Sequence, residues 1–247
     1  RHTDQTVNIY SAFLQNEWKN DRWGILIGGR LDKHNMVDNV IFSPRANLRF
    51  NPTQNINLRL SYSSGFRAPQ AFDEDMHIEN VGGTVAMIER AKDLKEEKSQ
   101  SFSVSADMYH RFGAFQTNLL IEGFYTRLTD VFVLGKPYDR GDGILVKTRS
   151  NGPGAKVMGL TLEGKVAYLS ILQIQAGLTL QRSRYDEPHK WHDDAPAEKK
   201  IFRTPDTYGY FTATCTPIKP LSIALSGTYT GRMLVQRMDI TAENAEL

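Results

Sequence analysis

Hydrophobic and polar residues alternate one by one along most of this chain, and that period of two constrains its fold more than any other feature. Ile56, Leu58 and Leu60, for example, alternate with Asn57 and Arg59. Successive side chains of a β-strand point to opposite faces, whereas a helix would scatter these residues around its circumference. The pattern recurs at 23–32, 46–51, 101–108, 160–166, 172–181 and 221–229. The sequence therefore predicts an all-β protein whose sheet has one apolar face and one polar face.

The alternating segments are long. We predict about ten strands, at 5–18, 23–34, 41–51, 55–66, 98–112, 114–128, 156–169, 171–184, 202–216 and 221–234. Many of them reach the roughly 9–11 residues that cross a bilayer at a tilt, whereas the modal strand of a soluble protein has about 5–6. Strand length thus favours a transmembrane β-barrel over a soluble carbohydrate-binding sandwich.

The predicted connections are alternately short and long. Short turns lie at 19–22, 52–54, 112–114, 170 and 217–220, and the long loops lie at 67–97, 129–155 and 185–201. Outer-membrane barrels combine tight periplasmic turns with long extracellular loops. We therefore predict an antiparallel up-and-down arrangement in which each strand pairs with its neighbours in sequence, as 41–51 does with 55–66. The segments 5–18 and 221–234 would then be unpaired edges.

The two faces of such a barrel meet different solvents. Lipid requires apolar side chains, and a water-filled or plugged lumen requires polar ones. We predict that Leu58, Leu60, Ile174, Leu178 and Ile223 face outward, and that Arg59, Gln173, Gln175 and Ser222 face inward. Aromatic residues near strand ends are typical of the girdle at a membrane interface, and here they are Trp18, Trp23, Phe50, Tyr62, Tyr125, Tyr168 and Tyr229.

Composition excludes several other classes. With 30 Lys and Arg against 28 Asp and Glu, the net charge of +2 gives no reason to expect a nucleic-acid partner. The single cysteine, Cys215, rules out an intramolecular disulfide and any multi-cysteine metal site. Mean hydropathy is −0.43, and no run approaches the roughly 20 apolar residues of a spanning helix. The chain begins with Arg1 and shows no leader, so we expect either a mature product or an excised fragment.

Specific motifs extend the argument to a family. Ser43-Pro44-Arg45 is followed by the block Tyr62-Ser-Ser-Gly65-Phe66-Arg67-Ala68-Pro69, and later by Gly159-Leu-Thr-Leu-Glu163 and Arg203-Thr204-Pro205. In this order they resemble the β-barrel domain of TonB-dependent outer-membrane receptors.

This resemblance implies about ten strands of a 22-stranded barrel that surrounds an N-terminal plug in the outer membrane of a Gram-negative bacterium. Residues 1–247 would be a partial barrel domain, without the plug, the early strands and the last strands.

The resemblance also implies a function and partners. The full receptor would import a scarce nutrient, such as an iron chelate, haem, cobalamin or a glycan, with energy from the inner membrane. Its partners would be membrane lipid, the remainder of the same receptor, an energy-coupling protein reached through the missing N-terminal part, and the small-molecule or chelate ligand. We expect no enzyme activity, no catalytic residues, no cofactor and no resident metal.

Ligand contacts are expected from the long loops and the strand ends beneath them, because loops on a rigid scaffold generally supply binding. The candidates are aromatic, acidic and basic residues in those loops: Arg67, Asp73, Glu74, His77, Tyr138, Tyr185, His189, Trp191 and His192. The simpler interpretation is that 73–79 and 185–201 are ordinary solvated loops and that Arg67 anchors a loop base. We predict a solvated or weakly helical segment for the mixed-charge residues 89–98.

A second hypothesis is a complete small outer-membrane barrel with a protease or hydrolase site at its rim. About ten strands suit such a barrel. Asp73, Asp75, His77, His189 and His192 could supply an acid–base pair. The motif blocks and the polar lumen face argue against this hypothesis.

Overall fold

The computed structural model describes residues 6–69, 86–136, 138–141, 145–190, 196–236 and 244–246, and these residues form strands, turns and extended segments. No helix long and apolar enough to cross a membrane occurs within these ranges.

Ten long strands form one sheet. They are β1 (Ile9–Lys19), β2 (Trp23–His34), β3 (Val40–Thr53), β4 (Ile56–Arg67), β6 (Glu97–Phe112), β7 (Phe115–Thr129), β11 (Ala155–Tyr168), β12 (Leu172–His189), β14 (Thr207–Ile218) and β15 (Leu221–Thr230). Their spatial order is β1-β2-β3-β4-β6-β7-β11-β12-β14-β15, and β13 (Glu198–Lys200) pairs with β12. Every pair in this sheet is antiparallel. The predicted up-and-down order, including the β3–β4 pairing, is confirmed.

The sheet is open among the described residues. β1 pairs only with β2, and β15 pairs only with β14. The predicted edges at 5–18 and 221–234 are therefore confirmed, with narrower bounds. An edge strand leaves a row of backbone N–H and C=O groups without partners, which lipid cannot satisfy.

Some strand ends differ from the prediction. β14 begins at Thr207 rather than at residue 202, because Arg203 adopts a positive φ of 56° and Pro205 lacks an amide hydrogen. β12 continues to His189, five residues past its predicted end at 184. The extension is supported by β13, which the sequence analysis left within a loop.

The register separates the polar and apolar sets as predicted. Leu60 lies opposite Val104, and Leu58 opposite Ala106, whereas Arg59 lies opposite Ser105. Directly opposed residues of neighbouring strands share a face. Leu58, Leu60, Ile174, Leu178 and Ile223 are all exposed, as the lipid-facing residues of a barrel wall would be without lipid. Their contact with lipid stays a prediction.

Aromatic rings line the apolar face beside the short turns. Trp23 stacks on Phe50 with 4.3 Å between ring centroids. Phe115 lies 5.4 Å from Phe112 and 4.7 Å from Tyr168, so three neighbouring strands carry a continuous row of rings. This arrangement is typical of an interfacial girdle.

The long loops contain a second sheet that the sequence analysis missed. It consists of β5 (Ala86–Arg90), β8 (Phe132–Leu134), β9 (Tyr138–Asp139) and β10 (Leu145–Asn151). β5 and β10 are parallel, although β10 is antiparallel to β8 and β9. For the segment 89–98, predicted to be solvated or weakly helical, a helix is wrong at both ends, because Glu89 and Arg90 belong to β5 and Glu97 and Lys98 belong to β6. β16 (Leu234–Gln236) and β17 (Asn244–Glu246) form a separate pair.

Candidate ligand-binding rim

The end of the sheet that carries the long loops is called the rim here. Its central unit is the small sheet in which β10 pairs with β5, β8 and β9, and this sheet joins the loop after β4 to the loop after β7. Val146 of β10 is fully buried, and Arg149 is 2% exposed. Parallel pairing between segments from two different loops requires tertiary contact, so neither loop forms this structure alone.

Asn151 connects the two loops through its side chain. Its Oδ1 accepts a hydrogen bond from the backbone N–H of Lys95 at 2.8 Å, and its Nδ2 donates to the Lys95 carbonyl at 3.1 Å. The same amide donates to the carbonyl of Asp130 at 2.8 Å. One side chain therefore satisfies three backbone groups, and the two long loops are coupled mechanically.

Arg67 lies at the end of β4 and supports the loop base. Its Nη2 lies 3.9 Å from Glu97 Oε2, and its guanidinium carbon lies 4.9 Å from the centre of the Phe132 ring. The same Glu97 oxygen accepts a hydrogen bond from the Phe132 backbone N–H at 3.1 Å. Arg67 is thus part of a clamp that attaches β8 to the barrel wall. This geometry agrees with the anchoring role that the sequence analysis weighed against ligand contact.

Tyr138 lies in the small sheet. It occupies β9 opposite Val146, and 46% of its surface is exposed. An exposed phenol on a two-residue strand is placed to stack on a planar ligand or to donate a hydrogen bond to it.

Tyr185 and His189 lie together on the extension of β12. Their ring centroids are 5.8 Å apart, and both side chains are half-buried. β12 has 18 residues and is longer than the roughly 9–11 residues that a membrane-spanning strand needs, and Tyr185 and His189 lie in its last five residues. Burial lowers the pKa of the His189 imidazole below its ordinary value, which favours the neutral ring. A neutral imidazole beside a phenol can accept as well as donate a hydrogen bond.

An ion pair fixes the start of this extension to the barrel wall. Arg127 Nη1 donates to Asp186 Oδ1 at 2.8 Å, and Nη2 lies 2.6 Å from Oδ2, a two-pronged geometry. The backbone N–H of Asp186 donates to the carbonyl of Gly154 at 2.9 Å. Tyr185 and His189 are therefore presented by a strand that is tied to β7 and to the start of β11.

The described candidates do not converge on one point. Tyr185 lies in the same register row as Gly65, with β6, β7 and β11 between β12 and β4. Four strand spacings of about 4.8 Å place Tyr185 roughly 19 Å from β4, the strand that ends in Arg67. Asp73, Glu74, His77, Trp191 and His192 lie outside the described residues.

The described rim carries side chains that can form hydrogen bonds and stacking contacts. Within the part of the chain that the structure describes, no group of three His, Cys, Asp or Glu side chains is arranged to bind a metal ion. The described part of the rim offers phenols, the His189 imidazole and backbone amides on a rigid support. Hydrogen bonding and stacking on a planar or oxygen-rich ligand are the interactions available to it.

Below the rim, the polar face carries side-chain networks. Glu163 lies 3.1 Å from Lys165 Nζ and accepts a hydrogen bond from Gln175, which also contacts the Tyr210 hydroxyl. On β3 and β4, Arg49 lies directly opposite Arg59. No described carboxylate lies within ion-pair distance of either arginine. The polar face therefore carries both charged side chains that are paired with an opposite charge and arginines that are not.

The signal for the missed small sheet was weak. Leu145-Val-Lys-Thr148 places two apolar residues before two polar ones and so lacks a period of two, and Ala86-Met-Ile88 follows loop sequence. Short apolar runs of this kind do not distinguish strand from loop on their own.

Comparison with known proteins supports the family suggested by the motifs. The sequence profile described as "TonB dependent receptor-like, beta-barrel" matches residues 1–236. No functionally curated protein matches the chain.

Among solved structures, the ferric enterobactin receptor PfeA of Pseudomonas aeruginosa has a TM-score of 0.70 and 17% identity, covering 98% of this chain and 36% of that one. The siderophore receptor PirA of Acinetobacter baumannii has a TM-score of 0.67 and 16% identity, with coverages of 94% and 34%. The iron transporter FrpB of Neisseria meningitidis has a TM-score of 0.65 and 15% identity, with coverages of 92% and 33%.

These structures show a shared fold, and the chain spans about a third of their length. The profile match, by contrast, extends over almost the whole chain and coincides with the ten-stranded antiparallel sheet. The chain therefore belongs to the TonB-dependent receptor family, as part of its β-barrel domain.

Proposed function

We propose that this chain is part of the barrel of an outer-membrane active-transport receptor that imports an iron chelate of the siderophore class. The observation that carries the proposal is the polarity of the sheet, which has one apolar face and one polar face, together with long loops at a single end. A transport receptor needs a wall that faces lipid outside and a polar interior inside. The rim above this wall is braced by ion pairs and by the small sheet.

The nutrient class rests on chemistry and on similarity of fold. Several structural neighbours are siderophore receptors, and PfeA has been solved in complex with enterobactin. Tyr138, Tyr185 and His189 supply hydrogen-bonding and stacking groups for a planar, oxygen-rich chelate. Haem, cobalamin and glycans are the competing nutrients. Asp73, Glu74, His77, Trp191 and His192 stay candidates for the same site.

The remaining partners follow from the family. Lipid covers the apolar face, the remainder of the receptor pairs with β1 and β15 and occupies the interior, and an energy-coupling protein of the inner membrane drives import. The outer membrane of a Gram-negative bacterium is the location. The family consists of transport receptors, so we propose transport rather than catalysis as the activity.

Uptake by the full-length receptor tests this proposal. The receptor would be expressed in a Gram-negative host that lacks its own siderophore receptors, and uptake of radioactive iron as ferric enterobactin would be compared with growth on haem or cobalamin. Iron uptake that depends on the receptor and on the inner-membrane energy supply is expected. Growth on haem or cobalamin without any chelate uptake would contradict the siderophore assignment.

Variants of the rim locate the site. Replacing Tyr185 by alanine should weaken binding, and Tyr185→Phe should lose less because it keeps the ring. The double replacement of Trp191 and His192 by alanine should also weaken uptake while barrel assembly is intact. Tyr229→Ala, which removes an exposed ring from the apolar face, is the matched control. Unchanged binding in the Tyr185 and Trp191/His192 variants would exclude the loop after β12 from the site.

A further inference from the structure

Four basic side chains occupy one register row on the apolar face, near the rim. Arg127 of β7 lies opposite Lys156 of β11, Lys156 lies opposite Arg184 of β12, and Arg184 lies opposite Lys200 of β13. Neighbouring strands are about 4.8 Å apart, so the row is about 14 Å long. Arg184 is an even-numbered residue of β12 and shares its face with Leu178. A row of like charges at the border of an apolar surface needs a physical reason, because like charges directly opposed in a sheet are destabilising.

Carboxylates of the chain neutralise only the ends of this row. Asp186 pairs with Arg127 at 2.6 Å, and Asp206 pairs with Lys200 at 3.1 Å. Among the described residues, no carboxylate lies within ion-pair distance of Lys156 or Arg184.

A fifth basic side chain, that of Arg182, adds to the positive charge of this region. Arg182 lies two residues from Arg184 on the same strand and face, is exposed, and forms no ion pair within the described ranges. We call Lys156, Arg182 and Arg184 the cationic triad. Three arginine and lysine side chains whose charges are not compensated lie side by side where the barrel wall leaves the bilayer.

An apolar groove begins directly beneath the cationic triad. It has a volume of about 690 Å³, and Arg182 forms part of its wall. Apolar side chains of five strands provide most of the rest, including Leu60, Phe102, Tyr125, Leu160 and Leu180.

The groove exists because Gly123 has no side chain. In its register row Gly123 lies between Val104 and Leu160. A Cβ built on Gly123 would meet only Val104, at an ordinary contact distance of 3.7 Å. The position is therefore open, and a larger side chain there would fill the groove without a clash with the backbone.

We propose that the cationic triad and the groove together bind a phosphate-bearing lipid of the outer leaflet, with its phosphate on Lys156, Arg182 and Arg184 and an acyl chain in the groove. Guanidinium and ammonium groups bind phosphate through charge-assisted hydrogen bonds. The apolar groove excludes a water-soluble phosphate compound as the preferred occupant, and the uncompensated positive charge excludes a neutral lipid. The inference rests on the transmembrane placement in the proposed function and is independent of which nutrient is imported.

Native mass spectrometry of the full-length receptor tests this site. The probes are lipid A, which carries phosphates and acyl chains, and a phosphatidylcholine, whose headgroup is neutral overall. The wild-type receptor should retain lipid A in preference to phosphatidylcholine, and added NaCl should reduce that preference because salt screens exposed charges. The triple variant Lys156→Gln, Arg182→Gln, Arg184→Gln should lose about tenfold in lipid A affinity, as loss of charge-assisted hydrogen bonds implies.

The matched control makes the same change of charge on the opposite face: Arg45→Gln, Arg49→Gln and Arg59→Gln. Its lipid A affinity should equal that of the wild type. Gly123→Phe fills the groove with all charges kept, and it should also weaken lipid A binding. Barrel assembly in each variant is checked by heat-dependent gel mobility, and the NaCl series on the wild type tests the site if a variant does not assemble.

Several results would overturn the proposal. Equal losses in the two triple variants would show that net charge alone attracts the lipid. Unchanged binding in the Gly123→Phe receptor would mean that the cations bind an anion without an acyl chain. A wild-type receptor that does not distinguish lipid A from phosphatidylcholine would remove the site altogether. Failure of chelate uptake would instead contradict only the proposed nutrient, since lipid retention does not depend on import.

Discussion

Removal of the Glu97 side chain should release the small sheet from the barrel wall. Glu97 Oε2 accepts the Phe132 N–H at 3.1 Å and lies 3.9 Å from Arg67 Nη2. The Glu97 side chain is 16% exposed, whereas Arg67 is 50% exposed. An amide left without an acceptor away from water costs about 1–3 kcal/mol. The half-exposed ion pair contributes only about 0.2–1 kcal/mol. The hydrogen bond therefore dominates the clamp.

This difference in free energy predicts different effects for two substitutions of Glu97. Glu97→Ala removes the acceptor and the charge, so local opening of residues 129–136 should become about 5–150 times more frequent, at 1.4 kcal/mol per factor of ten. Glu97→Gln keeps a side-chain carbonyl as acceptor, and its effect should stay within about fivefold. Hydrogen–deuterium exchange of the full-length receptor in lipid nanodiscs measures these rates peptide by peptide.

An exposed ion pair elsewhere in the rim supplies the matched control. Arg140→Gln breaks an ion pair at 3.2 Å between two partly exposed side chains, Glu89 of β5 and Arg140, which directly follows β9. It should change exchange only slightly. Equal exchange in the Glu97→Ala and Glu97→Gln receptors would show that the charge, and not the hydrogen bond, attaches β8. Unchanged exchange in Glu97→Ala would refute the clamp and return Arg67 to the ligand candidates.

Three further predictions concern other regions. Burial lowers the pKa of His189, so below the ordinary histidine pKa of about 6.5 the unfolded rim binds more protons than the folded rim. The stability of the rim should therefore be complete above that pH and should fall as the pH decreases toward the lower pKa of the folded state. Exchange of residues 185–190 should accordingly rise on acidification, and His189→Gln should abolish that dependence. Gly159→Ala should lower the temperature of barrel unfolding, because its new Cβ would lie 2.6 Å from a backbone oxygen of β12. Gly164→Ala should not lower it, because nothing lies within 4 Å of a Cβ at that position. Equal unfolding temperatures of the two variants in a gel-mobility series would contradict this prediction. A spin label at Leu178 should be relaxed by oxygen in the lipid phase and a label at Gln175 by a water-soluble nickel complex, and the reverse pattern would invert the assignment of the two faces.

The sequence by itself determined the main sheet. The positions of the ten long strands, their order and the face of each residue follow from a local pattern, because alternation has a period of two and short turns oblige neighbouring strands to pair. The motif around Ser43-Pro44-Arg45 and Gly65-Phe66-Arg67 also indicated the family before any fold was known. In the rim, the sequence identified Tyr185, His189 and Arg67 as candidates from residue type and loop position alone.

Tertiary structure decided how the rim is built. β5 and β10 pair in parallel although more than 50 residues separate them along the chain, and no local signal specifies which distant segments pair. Contact between the loops likewise placed Arg67 in a clamp with Glu97. The cationic triad depends on the register of β11 and β12. Lys156 is far from Arg182 and Arg184 along the chain, and it becomes their neighbour because the hydrogen-bonded ladder places it directly opposite Arg184.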